Sequence, residues 1–221
     1  MSNTRYSTAI LRQRIDLDVF DYQVLLDALA GYGKPRDKIT RLLASGEIVR
    51  VKKGLYCFGE AFRRNPICRE YLANLIYGPS YVSLDYALRL HGLIPERVEA
   101  VTSVTTRRSR GFETPLGHFS YRILSHRRYA AGVIREASGP TPFLVASPEK
   151  ALADKIWSDS RFKGARVSDF EAYLLDDLRI DPDALHTLDR ERLDRVQHAY
   201  ASPKIRNLVK YLKRMEGRPH A

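Results

Sequence analysis

Seven basic side chains fall within a short span: Lys34, Arg36, Lys38 and Arg41, then Arg50, Lys52 and Lys53. Only Asp37 and Glu47 oppose them, so residues 34–53 carry a net +5. Lysine and arginine neutralise phosphate, and arginine can also grip guanine through two parallel hydrogen bonds. The chemistry on offer is polyanion binding, in which phosphate contacts give affinity and base contacts give sequence choice. A second group, Arg107, Arg108 and Arg110, stands beside Phe112, Phe119 and Tyr121 in VTTRRSRGFETPLGHFSY. Taken alone, that stretch reads either as a nucleic-acid ribbon or as the exposed side of a structural hairpin. A third group, Arg206, Lys210, Lys213 and Arg214, lies near the C-terminus.

Catalytic constellations are hard to find. None of the six histidines (His91, His118, His126, His186, His198 and His220) pairs with another at an i, i+4 metal spacing. No glycine-rich phosphate loop or nucleophile elbow is present. Cys57 and Cys68 have no metal-ligand spacing and read as reduced thiols of a cytoplasmic protein. In SPEKALADKIW, the set Glu149, Lys150, Asp154 and Lys155 could suggest a nuclease. A helix places Lys150 and Asp154 one turn apart, so an i, i+4 ion pair is the simpler reading. His91 ends an apolar helix face, where a hydrogen-bonded structural histidine is expected. The sequence therefore predicts no catalytic residue, no metal and no cofactor.

The elements that would position the first basic group are legible. Asp21 can cap a helix running to about Ala30, with Val24, Leu25, Ala28 and Leu29 inward. Pro35 suits the first turn of a second helix, and Ile39, Leu42 and Leu43 form its apolar side. On that helix Asp37, Arg41 and Ser45 face outward, Lys38 lies on a flank, and Lys34 and Arg36 sit at the N-terminal end. Gly46 ends the helix, and EIVRVKKGLYCFG follows as a hairpin turning at Gly54. Two helices and a basic hairpin outline a winged helix-turn-helix. In that frame Arg41 reads bases, while Arg50, Lys52 and Lys53 touch phosphate.

Further along, helices are expected over residues 4–14 and 66–77 and from a cap at Ser83, with strands in 98–136 and in PFLVA at 142–146. Ser147-Pro148 starts another helix, SDFE at 168–171 reads as a capping box, and Ser202-Pro203 starts the last helix. That helix carries an apolar stripe of Ile205, Leu208, Leu212 and Met215. Phe119, Tyr121 and Ile123 alternate with His118, Ser120 and Arg122, as on a half-buried strand. The fold class is α+β: a winged helix-turn-helix over residues 1–62, then a mixed α+β domain with C-terminal helices over 63–221.

With 221 residues and 44% hydrophobic content, the chain can bury a sizeable core. It holds 37 Lys+Arg against 26 Asp+Glu, a net +11, which points to a polyanionic partner or an acidic protein surface. The excess falls in blocks: residues 97–136 and 201–221 each carry +5, whereas 159–200 carry −3. No segment is long and apolar enough to span a membrane.

IVRVKKGLY resembles the wing of the AbiEi antitoxins, the antitoxin half of abortive-infection toxin–antitoxin systems. YVSLDYALRLHGLIPERVEAVTSVTTRRSRGFETPLGHFSY is similar to that family's long central signature, and SPEKALADKIW to its third block. In their order and spacing these blocks span about residues 20–158. The resemblance implies a winged helix that binds double-stranded DNA at inverted repeats in the operon's own promoter and represses it. It also implies a C-terminal domain that counters an AbiEii-like nucleotidyltransferase toxin, directly or functionally. By position, DNA binding falls on Lys34, Arg36, Lys38, Arg41, Ser45, Arg50, Lys52 and Lys53. Arg107, Arg108, Arg110, Arg206, Lys210, Lys213 and Arg214 are left as contacts for a partner or for DNA backbone. The alternative is a stand-alone winged-helix regulator whose C-terminal domain mediates dimerisation or effector sensing. A nucleic-acid-processing enzyme ranks last, for want of a catalytic cluster.

Overall fold

A computed structural model describes residues 8–216. The helix expected over 4–14 is seen as α1 (Thr8–Arg14), its first residues lying outside those described. After β1 (Val19–Asp21), the Asp21 carboxylate accepts the Val24 N–H at 2.9 Å and starts α2 (Tyr22–Ala28). Leu25, Ala28 and Leu29 are buried, but Val24 is 41% exposed, because its position in the first turn faces solvent. Pro35 opens α3 (Pro35–Ala44), whose Ile39 and Leu42 are buried. Gly46, at φ +71°, lets the chain turn into β2 (Ile48–Lys52). Lys53 and Gly54 join β2 to β3 (Leu55–Phe58). Gly59 then packs against the end of α3: its N–H donates to the Glu47 carbonyl, and a Cβ there would collide with the Gly46 carbonyl.

β3 is the central strand of the antiparallel sheet β1-β3-β2, and all four of its residues are buried. Alternating side chains serve two cores. Phe20, Ile48, Tyr56 and Phe58 join Leu11, Ile15, Leu25, Leu29, Ile39 and Leu42 in the smaller cluster. Val19, Val51, Leu55 and Cys57 join the larger one, which includes Leu72, Ala73 and Ile76. The hairpin is thus packed on its back, and its sheet is shared between the two parts of the molecule.

A short 3-10 turn (Glu60–Phe62) leads to α4 (Arg69–Ile76), β4 (Ser80–Val82), α5 (Leu84–Leu90), β5 (Val101–Thr105), β6 (Arg110–Thr114) and β7 (Gly117–Ile123). α6 (His126–Tyr129), β8 (Val133–Ser138), β9 (Thr141–Ala146) and α7 (Pro148–Ser158) follow. The strands form a mixed six-stranded sheet, β6-β7-β5-β4-β9-β8, with β5–β7 and β4–β9 parallel. Val82 pairs with Ser103 and Ser103 with Tyr121, so Tyr81 and Tyr121 point to opposite faces. Tyr121 donates to the Ala73 carbonyl of α4 at 2.7 Å, while Tyr81 donates to Asp154 of α7 at 3.0 Å. The sheet is therefore covered by α4 on one face and by α7 on the other. α8 (Asp169–Glu171) runs into a π-helical segment (Ala172–Asp177), and α9 (Pro182–His186), α10 (Arg190–Tyr200) and α11 (Pro203–Glu216) complete the α7 layer.

Three local expectations are corrected. Ser83 precedes α5, but its hydroxyl makes no cap; it donates to Asp154 at 2.7 Å instead. The capping box at SDFE does not form, because Ser168 has helical backbone angles and makes no side-chain cap. Ile123 is 57% exposed at the end of β7, whereas Phe119 and Tyr121 are core.

Candidate nucleic-acid interface

α3 presents its apolar side to the smaller core and its charged side to solvent. Arg36, Asp37 and Arg41 are exposed, Lys34 is exposed at the N-terminal end, and Lys38 is half-buried. Among the described residues, no carboxylate pairs with Lys34, Arg36, Lys38 or Arg41, so their charge is uncompensated. Ser45 is exposed, but its hydroxyl donates to Glu47 at 2.6 Å. On the hairpin, Arg50 is exposed on β2 and Lys53 is exposed at the turn.

Lys52 behaves differently. It is half-buried, and its ammonium donates to the Ile76 carbonyl at the end of α4. A bulge between Arg50 and Lys52 shifts the β2–β3 register just before this position. The next residues of the α4–β4 turn hold a second cation: the Arg107 guanidinium lies 4.7 Å from the Tyr77 ring centre and 3.4 Å from the Gly78 carbonyl oxygen. Arg110 lies over Phe112 at 5.0 Å. Tyr77, Phe112 and Tyr121 pack edge to face or tilted, with ring centres 5.3–5.7 Å apart, and form a firm aromatic base. Burial lowers the Lys52 pKa below the ordinary lysine value, and the charges of Arg107 and Arg110 lower it further. Sequence reasoning kept these residues in separate groups; the fold brings them into one cationic cluster. No ion pair involving Lys52, Arg107, Arg108 or Arg110 occurs among the described residues.

Residues 25–59 match the family model described as transcriptional regulator, AbiEi antitoxin. The matched segment runs from Leu25 of α2 to Gly59 after β3, and so contains the end of α2, all of α3 and the hairpin. It agrees with the AbiEi resemblance of IVRVKKGLY and supports an antitoxin-type transcriptional regulator, a family of regulators rather than enzymes. No curated protein matches the chain. No helix among the described residues is long and apolar enough to cross a membrane.

The third basic group lies elsewhere. Arg206, Lys210, Lys213 and Arg214 are exposed on α11, which packs on α7 and α10, across the sheet from α4. Lys213 is partly neutralised by Asp194 at 3.1 Å.

Three of the four nuclease-like residues of α7 sit inside the protein; the fourth, Lys155, is half-buried and pairs with Asp85 at 2.6 Å. Glu149, Lys150 and Asp154 are at most 2% exposed. Lys150 donates to Asp154 at 2.9 Å, to the Tyr200 hydroxyl at 3.0 Å and to the Arg128 carbonyl at 2.7 Å. Asp154 also accepts from Tyr81, Ser83 and Tyr200. Burial holds the Lys150 pKa below its ordinary value; burial and then Asp154 raise those of Tyr81 and Tyr200. Glu149 accepts the Asp189 N–H at 2.8 Å, just ahead of α10. These groups clamp α10 at both ends. His91 is likewise engaged, with its Nε2 2.7 Å from the Ala146 carbonyl oxygen.

Proposed function

We propose that the chain is an antitoxin-type transcriptional regulator of the AbiEi kind, acting in the cytoplasm. In this reading residues 1–62 form a winged helix-turn-helix that binds the protein's own promoter, and residues 63–221 oppose a nucleotidyltransferase toxin. The observation that carries it is the outer face of α3 beside the hairpin. Arg36 and Arg41 are exposed there without carboxylate partners among the described residues, flanked by Arg50 and Lys53, within the segment that matches the AbiEi model. α3 is the recognition helix, Arg41 its base reader, and Lys34, Arg36 and Lys38 its phosphate contacts. Ser45, tied to Glu47, takes a backbone role at most.

The cluster of Lys52, Arg107 and Arg110 supports assigning Arg107, Arg108 and Arg110 to DNA backbone rather than to the toxin, because like charges massed without a carboxylate suit a phosphate. The exposed cations of α11 lie in the opposite layer and are the proposed toxin-facing surface. Both partners could then be held at once.

The test uses the full chain and a duplex from its own promoter. Arg41→Ala is expected to weaken binding by about 1–3 kcal/mol and to relax sequence preference. Arg50→Ala with Lys53→Ala should weaken binding to all duplexes and lower the salt slope by about one for each phosphate left unneutralised. Unchanged affinity and slope in both would overturn the DNA assignment. For the second half, the neighbouring gene should be toxic alone and harmless beside the full chain; a neighbour that stays toxic removes the antitoxin role.

A further inference from the structure

The linker between the two parts of the molecule borders an open hollow of about 460 Å³. Three arginines line it: Arg63 and Arg64 of the linker, and Arg69 at the start of α4. Pro66, Ile67 and Leu116 supply an apolar wall, and Glu60 is the one carboxylate in the lining. None of these residues belongs to the surfaces assigned above to DNA or to a toxin.

The arginines are held in place by main-chain carbonyls. Arg63 donates from Nε to the Phe58 carbonyl at 2.8 Å, Arg64 to the Arg12 carbonyl at 3.1 Å, and Arg69 to the Glu99 carbonyl at 2.7 Å. Such anchors fix a guanidinium without neutralising it, and each of these groups has five N–H donors. Only Arg64 also meets a carboxylate, the exposed Asp16 at 3.2 Å. Arg63 and Arg69 have none among the described residues. The Arg69 Nε–H is buried without a hydrogen-bond partner, so its donors are incompletely used. Gly117, at φ +111°, makes room for this arrangement: a Cβ there would press on the Arg69 guanidinium.

We propose that this hollow binds a small organic phosphate, with the phosphate on Arg63 and Arg69 and the organic body against Pro66, Ile67 and Leu116. Planar guanidinium forks match phosphate oxygens in pairs, which favours a phosphate over a single carboxylate. The volume falls in the range of small-molecule sites, and junctions between structural units are where such sites concentrate. The apolar wall favours a compact ligand over a duplex backbone, whose exposed surface is sugar and phosphate. Arg63 belongs to the linker and Arg69 and Leu116 to the second part of the chain, so an occupant would bridge the two and bias their arrangement.

The test is calorimetric titration of the full chain, free of DNA, with adenosine monophosphate, inorganic phosphate and adenosine. Adenosine monophosphate is expected to bind at least about tenfold tighter than either fragment, since both halves of the site contribute. Arg63→Ala with Arg69→Ala should weaken it by about tenfold or more, while Arg206→Ala with Lys210→Ala leaves it unchanged. Glu60→Gln should tighten binding by removing the carboxylate from the lining, a gain that misfolding cannot imitate. Absence of binding, equal affinity for inorganic phosphate, an equal weakening in the α11 variant or no effect of Glu60→Gln would each overturn the proposal. Because no DNA is present, none of these outcomes depends on the promoter assignment.

Discussion

Lys150 is fully buried, and its charge is balanced by Asp154, two tyrosines and a main-chain carbonyl. Removing one partner of a buried pair leaves the other uncompensated, at a cost of about 3–5 kcal/mol. Lys150→Met is expected to destabilise the chain by that amount in urea unfolding, leaving Asp154 stranded among hydroxyls. Tyr200→Phe removes two hydrogen bonds but no charge and should cost about 1–3 kcal/mol. A destabilisation equal to that of Lys150→Met would mean that the charge itself contributes little. Gly59 is constrained for another reason. With no space for a Cβ against the Gly46 carbonyl, Gly59→Ala must move backbone. A lowered melting temperature together with weaker DNA binding is expected, because the same close approach sets the angle between α3 and the hairpin.

Elements near one another in sequence were legible; distant partnerships were not. α2, α3 and the hairpin show in the residues because Leu25, Ala28, Ile39 and Leu42 recur at helical spacing and Gly46 and Gly54 mark the turns. The i, i+4 relation of Lys150 and Asp154 was equally visible. Its burial was not, since Tyr81 and Ser83 are more than 70 residues away from Asp154. Ser83 carries the local signature of a cap, and a remote carboxylate overrode it. Nothing near Lys52 announces that its ammonium reaches Ile76 or that Arg107 and Arg110 come close. That proximity carries a prediction for the β5–β6 connection. Arg107→Ala with Arg110→Ala should lower the salt slope of promoter binding by about two while sequence preference is kept. Failure of toxin rescue with normal DNA binding would move these arginines to the other partner.

At the scale of the whole chain, the sheet β1-β3-β2 is the common wall of two hydrophobic clusters. Units that share a buried strand melt together. A single calorimetric transition is expected for the full chain, and Leu55→Ala and Tyr56→Ala, on opposite faces of β3, should each lower it without splitting it. Two resolved transitions would show that the larger cluster does not need the hairpin. The two basic surfaces, in opposite layers, are then carried on one cooperative body.

The buried back of the hairpin also bears on how the segment that matches the family could be reused. Residues 25–59 hold the end of α2, α3 and the hairpin, yet Val51, Leu55 and Cys57 belong to a cluster whose other members lie beyond that segment. Moved into another protein without the larger cluster, the segment would display an apolar strip where its own chain supplies a wall. A transplant would need to bring part of the larger cluster with it, so the smallest portable piece is larger than the smallest recognisable one.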